Sequence, residues 1–477
     1  MKAIIAFLTS LTAMGQLGGP PLATADDLDQ YHGHRDLHDP DHATGWFSIG
    51  KDLDGQIWLW TPEGNAFFGA GVNKLSLHWL REFNKESWED TYQADADIWR
   101  ETQRTRLLDW GFNSVSFRSM GDSRDERYLW DDPYFYRQLQ LPYAPVIYFV
   151  AHADVRHVIE KAGLDYEAER YPDVWSEEWI EEADVRAERM IGRVHDDPYV
   201  LGYYMAEEPD THYRYKRPAD RIWADYIIEQ PGTRPGKKAW VEFMSDLYDT
   251  VADFNAVYGD QLSSDIKDFD ELHTIDELRM RPVPDARDFT AEIMGQFAHV
   301  AHSKIRKYDK NHLIFSPRFN CAVGWIFRQM LDAVAPYTDA LAFNPYGKSP
   351  HTWDIVHAYY EQPILIAETS YLGDDTGYQN SPFPRVADQT ARGVNYRSLF
   401  SELAAKPYIL GIWWHAYYDH GGDGGWRNWG LVDPLTDEPY YDFIDRVVPT
   451  NERLFGLHHR ELSPHWWMAD AQQGSAP

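Results

Sequence analysis

Cysteine is nearly absent: Cys321 is the one thiol in 477 residues. No internal disulfide can form, so stability has to come from the core. Positive charge is also scarce, with 45 basic residues against 76 acidic ones and a formal net charge of −31. A field of that sign repels nucleic acid and anionic membranes and keeps a chain soluble in salt, as a saline or marine habitat requires. It also opposes a highly sulfated substrate, unless basic residues gather in the cleft. Long apolar runs are missing beyond the N-terminus, where no segment reaches the ~18 residues of a membrane-spanning helix. No internal repeat is present.

Aromatic residues, by contrast, are abundant. They make up 15% of the chain, including 20 Trp and 30 Tyr. That excess suits rings stacked on sugar faces as well as a large core. The start, MKAIIAFLTSLTAMGQLGGPPLATADD, has Lys2, an apolar stretch from Ala3 to Met14 and the small residues Ala23-Thr24-Ala25. This pattern predicts a secretory signal peptide over residues 1–25, and hence a secreted or periplasmic protein. Residues 26–44 read as a polar linker, in which His32, His34, His38 and His42 are solvated rather than metal-binding. Trp46 to Phe68 alternates around Asp54-Gly55, which predicts a β-hairpin cap over 46–66.

Eight strand-like segments follow: Phe67–Asn73, Phe112–Phe117, Ala144–Val150, Leu201–Glu208, His312–Phe319, Ala340–Tyr346, Ile364–Ser370 and Ile409–Tyr418. Helical or irregular stretches separate them. This alternation predicts an α/β fold, a (β/α)8 TIM barrel over 45–462, with the hairpin closing its bottom. A long insertion, 209–310, falls between the fourth and fifth strands. Trp240 to Tyr258 is apolar at helical spacing and predicts one amphipathic helix; Phe289 to Ile305 predicts another. A last helix is expected near Tyr441 to Leu454, and the tail 463–477 is peripheral.

The strands end in polar or aromatic residues, at the face where such barrels hold their active sites. Leu201 to Asp210 (LGYYMAEEPD) delivers Glu207 and Glu208, and Pro363 to Ser370 (PILIAETS) delivers Glu368. Two carboxylates on separate strand ends are what glycosidic-bond hydrolysis needs: one protonates the leaving oxygen, and the other attacks the anomeric carbon or activates water. A nucleophilic Glu368 must stay ionised, and Arg118 at the second strand end suits that task. Tyr346 in NPYG can donate its hydroxyl to Glu368. Of Trp413 and Trp414, alternation sends one inward, to floor the sugar beside the scissile bond. Asn73, His78 and Arg318 are further candidate sugar contacts. No metal or other cofactor is expected, since the DHGGDGG loop from Asp419 lacks calcium-loop spacing.

These pieces resemble clan A of the glycoside hydrolases, and within it the family-50 β-agarases. The similar stretches are GWFSI with its hairpin, FFGAGVN, DPYVLGYYMAEE, WVEFMSDLYDTVADFNAVYG, PILIAETS and GIWWHAYYDHGGDGGWRNWGLVD, in order across 45–455. The resemblance implies a retaining hydrolase of β-linked galactan such as agarose, with Glu208 as acid/base and Glu368 as nucleophile. It also matches Arg118 and the aromatic residue of the eighth strand to clan positions. One departure stands out: the clan's asparagine before the acid/base is Glu207 here, which can accept but cannot donate as an amide does. Glu207 as the acid therefore remains an alternative. So do another clan A activity, on β-galactosides or carrageenan-type galactans, and a catalytically silent carbohydrate-binding barrel. The expected partner is an algal galactan polysaccharide or oligosaccharide, with no nucleic acid and no membrane; nothing in the chain specifies an oligomeric state.

Overall fold

Short apolar runs at the eight expected places pair in parallel and wrap into a barrel. In a computed structural model, the residues described are 25–119, 132–151, 159–160, 163–209, 222–280, 284–320, 328–378, 383–422 and 425–468. The expected signal peptide and Cys321 lie outside them, apart from Ala25. A small sheet comes first, made of β1 (His34–His38), β2 (Ser48–Lys51), β3 (Ile57–Trp60) and β4 (Asn65–Phe67). The barrel strands are β5 (Gly69–Asn73), β6 (Ser114–Ser116), β7 (Tyr143–Ala144), β8 (Gly202–Tyr204), β9 (Leu313–Asn320), β10 (Ala340–Asn344), β11 (Ile364–Thr369) and β14 (Ile409–His415). Between the last two, β12 (Leu372–Gly373) and β13 (Arg385–Val386) form a two-stranded ribbon. The barrel order is β7-β6-β5-β14-β11-β10-β9-β8, and the bridges Tyr143↔Val200 and Val146↔Tyr204 join its two edges. The (β/α)8 architecture expected from the sequence is therefore the observed one.

Barrel interiors are filled by side chains, and here two glycines make the room. A Cβ at Gly69 would lie 2.7 Å from the Trp413 ring, and one at Gly71 only 2.1 Å from it. Trp413 thus packs inside the barrel against β5. Its neighbour Trp414 turns outward onto Tyr396, Phe400 and Phe443 of the helix layer.

The small sheet corrects one expectation. Its order is β1-β4-β3-β2, so the segment read as a polar linker supplies a strand. The reason is a buried anchor: Asp29 accepts hydrogen bonds from Tyr31 N (2.8 Å), Gly33 N (2.8 Å), Thr61 Oγ1 (2.5 Å) and Asn65 Nδ2 (2.8 Å). The histidines pack as rings, His34 stacked on Phe455 and His42 on Trp60. The hairpin β2–β3 turns where Asp52 Oδ1 accepts from the backbone of Asp54 and Gln56, and Gly55 takes φ +80°. The fully buried β3 meets the lower barrel through Ile57 N→Pro407 O (2.8 Å).

A second correction concerns the stretch between β8 and β9. The single helix expected over Trp240–Tyr258 is two, Pro235–Leu247 and Val251–Tyr258. Thr250 breaks it: its backbone is extended, and its hydroxyl caps the second helix by accepting from Asp253 N. The helix Pro284–Tyr308 covers the one expected over Phe289 to Ile305, and Tyr441–Asn451 follows the barrel as expected. No helix of the described residues is long and apolar enough to cross a membrane.

Candidate active site

The strand ends of β8, β9, β10 and β11 bring three carboxylates together. One oxygen from each of Glu207, Glu208 and Glu368 lies within 4.8 Å of the others. Alternation along a strand would send Glu207 and Glu208 to opposite sides. β8 ends at Tyr204, however, and Glu208 takes φ +36°, so both carboxylates turn into the same site. Backbone in this region is unfavourable for a residue with a Cβ and concentrates at functional sites.

One guanidinium organises the cluster. Arg318, wholly buried on β9, donates from Nη1 to Glu207 Oε2 (2.6 Å) and from Nη2 to Glu368 Oε2 (2.8 Å). Nη2 also donates to Ala367 O (2.8 Å), and the group lies 4.2 Å over the Phe117 ring. Burial opposes its charge, but the two carboxylates outweigh that and hold Arg318 above its ordinary range. The other Glu368 oxygen, Oε1, accepts from the Tyr346 hydroxyl and lies 3.2 Å from His415 Nδ1.

These contacts set the charges. Burial pushes the Glu368 carboxyl up, but its cationic and hydrogen-bonding neighbours outweigh burial and hold it well below the usual range. Burial lowers His415 to about 4, so at neutral pH its ring offers a hydrogen bond and the charge comes from Arg318. Burial pushes the Glu207 carboxyl well above the usual range; the Arg318 cation opposes the shift, and the charges of Glu368 and Glu208 add to it. Glu208 is the open member. It is only half-buried, and its oxygens accept from Asn320 Nδ2 (2.7 Å) and Asn344 Nδ2 (2.8 Å). Asn344 Nδ2 also reaches Glu207 Oε1 at 3.4 Å, which links the adjacent acids. Among the described residues, these three glutamates are the one group with spacing for a metal ion. Arg318 already supplies a cation to two of them.

The remaining expected residues fall in different places. Arg318 supplies a guanidinium to Glu368, and Arg118, expected in that role, lies over the Phe117 ring at 4.9 Å. Arg318 itself is too enclosed to be the sugar contact expected of it. Asn73 is also wholly buried, and its amide donates to Ala367 O (2.9 Å), which braces the strand end before Glu368. His78 is exposed on the helix Leu77–Phe83, 3.9 Å from Glu82. Neither Trp413 nor Trp414 floors a sugar, because both are 0% exposed. The ring beside the carboxylates is Trp429, with centroid distances of 5.7 Å to Tyr346 and 5.1 Å to His415. Sequence reasoning missed Trp429, Asn320, Asn344, His415 and Lys74. Their shared signal was position: Lys74, Asn320, Asn344 and His415 end or follow barrel strands. A separate groove of about 760 Å³ lies on the helix layer between Trp175, Glu292, His299 and Tyr337, and shares no residue with this cluster.

No family model matches the chain. It is 22% identical over 464 residues to Beta-agarase B of Vibrio sp. (strain JT0107), covering 91% of this chain and 46% of that protein. Beta-agarase A of the same strain is 22% identical over 534 residues, covering 96% of this chain and 51% of that protein. The chain thus spans about half the length of these curated relatives. Among solved structures, an exo-beta-agarase superposes with a TM-score of 0.71 at 19% identity, over 91% of this chain and 68% of that one. The resemblance to β-agarases expected from the sequence is therefore seen in sequence, and their fold is shared.

Proposed function

We infer that the chain is a retaining glycoside hydrolase acting on β-linked galactan of the agarose type. The observation that carries this reading is the contrast between two neighbouring carboxylates: Glu368 is gripped by Arg318 and Tyr346, while the half-open Glu208 faces it. In the first step a Glu368 oxygen attacks the anomeric carbon as Glu208 protonates the departing glycosidic oxygen. The product is a glycosyl ester on Glu368. In the second step the Glu208 carboxylate takes a proton from water, the water oxygen attacks the anomeric carbon, and Glu368 leaves as a carboxylate. Inverting pairs stand roughly 6.5–9.5 Å apart to admit a water, and retaining pairs roughly 5–5.5 Å. An oxygen of Glu208 and one of Glu368 come within 4.8 Å of each other, an approach that favours the closer, retaining spacing.

Similarity to the two beta-agarases supports agarose as the polymer. Glu207 is the less suitable acid because Arg318 encloses it. A silent binding barrel would have no use for a clamped carboxylate opposite an open one. The N-terminal pattern supports export, which a polymeric substrate outside the cell requires. The test is digestion of agarose, a β-carrageenan and an aryl β-galactoside by the purified chain, following product size and reducing ends. Release of small oligosaccharides from agarose supports the reading, and one repeating product indicates terminal attack. Cleavage of only another galactan keeps the mechanism and changes the substrate. No cleavage of any of the three contradicts the reading.

A further inference from the structure

Glu368 and Glu208 are held by different chemistry. Arg318 brings a fixed positive charge to Glu368, donating to its Oε2 at 2.8 Å. Glu208 instead accepts from two neutral amides, Asn320 Nδ2 on Oε2 (2.7 Å) and Asn344 Nδ2 on Oε1 (2.8 Å). Each of its oxygens therefore has a donor, and both asparagines are buried.

The sheet sets this pair in place. β9 and β10 run parallel with Asn320 opposite Asn344, the last residue of each strand. Residues two apart on a strand share a face, so Arg318 and Asn320 point the same way. β9 alone thus serves all three carboxylates, with Arg318 bonding Glu207 and Glu368 and Asn320 bonding Glu208. The chain around Glu208 hangs on the same strand, through Glu208 N→Arg318 O (3.1 Å) and Arg318 N→Ala206 O (2.9 Å).

We propose that Asn320 and Asn344 are positioning residues of the acid/base, whose amides aim the Glu208 carboxyl at the glycosidic oxygen and leave its charge free to change. This rests on the proposed glycosidase function and assigns residues which that function did not name. A half-open glutamate would otherwise turn among several rotamers, and a misaimed proton donor loses rate. A cation in the same place would fix the direction but also hold the carboxyl ionised, which suits a nucleophile and hinders a general acid. An amide is neutral and carries both a donor and an acceptor, so it can bond the carboxylate and, turned over, the carboxylic acid. A turnover in which the proton leaves in the first step and returns in the second needs both states.

The experiment measures the full chain and Asn320→Ala on two glycosides of one agarose disaccharide, which share the galactose anomeric carbon and differ in the group that departs. The first releases dinitrophenolate, which departs without a proton; the second releases a sugar hydroxyl, which needs one. Asn320→Ala is expected to lose about tenfold or more in kcat/KM on the second substrate and less than about threefold on the first. On the dinitrophenyl substrate kcat and KM fall together, because the second step still needs Glu208 as base and the glycosyl-enzyme accumulates. A loss of equal size on both substrates, or no loss on either, overturns the positioning role and leaves the glycosidase reading intact. If the wild-type chain cleaves neither substrate, both fall. Asn320→Ser, one bond shorter and still polar, takes the place of Asn320→Ala should that variant fail to fold.

Discussion

Strands β8 and β9 carry a buried polar cluster at each end, and the two are built on opposite rules. At the lower end His312 Nδ1 lies 2.6 Å from Asp309 Oδ2, and His312 Nε2 lies 3.0 Å from Asp197 O. Tyr203 OH donates to Asp309 Oδ2 (2.7 Å), and Tyr143 OH to Asp197 Oδ2 (2.9 Å). The backbone N–H groups of Asn311 and His312 complete Asp309. Here each carboxylate meets matched donors. At the upper end one guanidinium bonds two of three clustered carboxylates, and the third, Glu208, is left half open. A satisfied network locks a fold; an unbalanced one beside a cleft stores charge for chemistry. The lower end of such barrels serves stability and the upper end catalysis.

The comparison can be broken at its sharpest point by Glu368→Gln and Glu208→Gln. Each is expected to lower kcat/KM by about a thousandfold or more while leaving the melting curve nearly in place. Near-normal activity in either overturns its assignment. Arg318→Met comes next and strikes both properties. It strands two buried carboxylates, so activity is lost and stability falls by about 3–5 kcal/mol, read by denaturant unfolding. A smaller change comes from Glu207→Gln. Burial favours the neutral form of Glu207, which the amide resembles in shape and charge, so kcat/KM is expected to stay within about tenfold of wild type. A collapse equal to that of Glu208→Gln would transfer the acid role to Glu207.

The smallest effect on activity belongs to Asp309→Asn at the lower end, which leaves kcat per folded molecule unchanged. Burial raises the Asp309 carboxyl, but hydrogen bonds from His312, Tyr203 and the backbone outweigh it and hold it below the usual range. A depressed carboxylate contributes stability above its unfolded value of about 3.9, and that contribution is lost as pH falls toward its folded value. The variant should therefore be less stable at pH 7 by about 1–3 kcal/mol, with the gap narrowing as pH drops below about 4. A gap that widens in acid contradicts the arrangement.

The barrel was legible because each strand is a compact apolar run, and Ile364–Ala367 leading to Glu368 shows why its end was too. The partnerships were not legible, because they join residues far apart in the chain. Nothing near Arg318 in sequence announces that it would reach both Glu207 and Glu368, and the sequence reading gave the cation's task to Arg118. One of Trp413 and Trp414 was read as a sugar platform, but the space that swallows Trp413 belongs to Gly69 and Gly71, more than three hundred residues earlier. The polar segment before the hairpin hid a strand because its anchor, Asp29, pairs with Thr61 and Asn65 across the sheet. Glu207 and Glu208 illustrate both sides. Their adjacency was plain, but only the positive φ at Glu208 explains how both enter one site.

The central claim is that Glu368 forms the covalent intermediate, and a trapping experiment addresses it directly. The chain is incubated with a 2-deoxy-2-fluoro β-galactosyl donor carrying a good leaving group, digested and sequenced by mass spectrometry. The account predicts a single glycosylated peptide with the sugar on Glu368, and reactivation on removal of excess reagent. A label on Glu207 or Glu208, or a reaction that yields the inverted anomer with no labelled peptide, would contradict it.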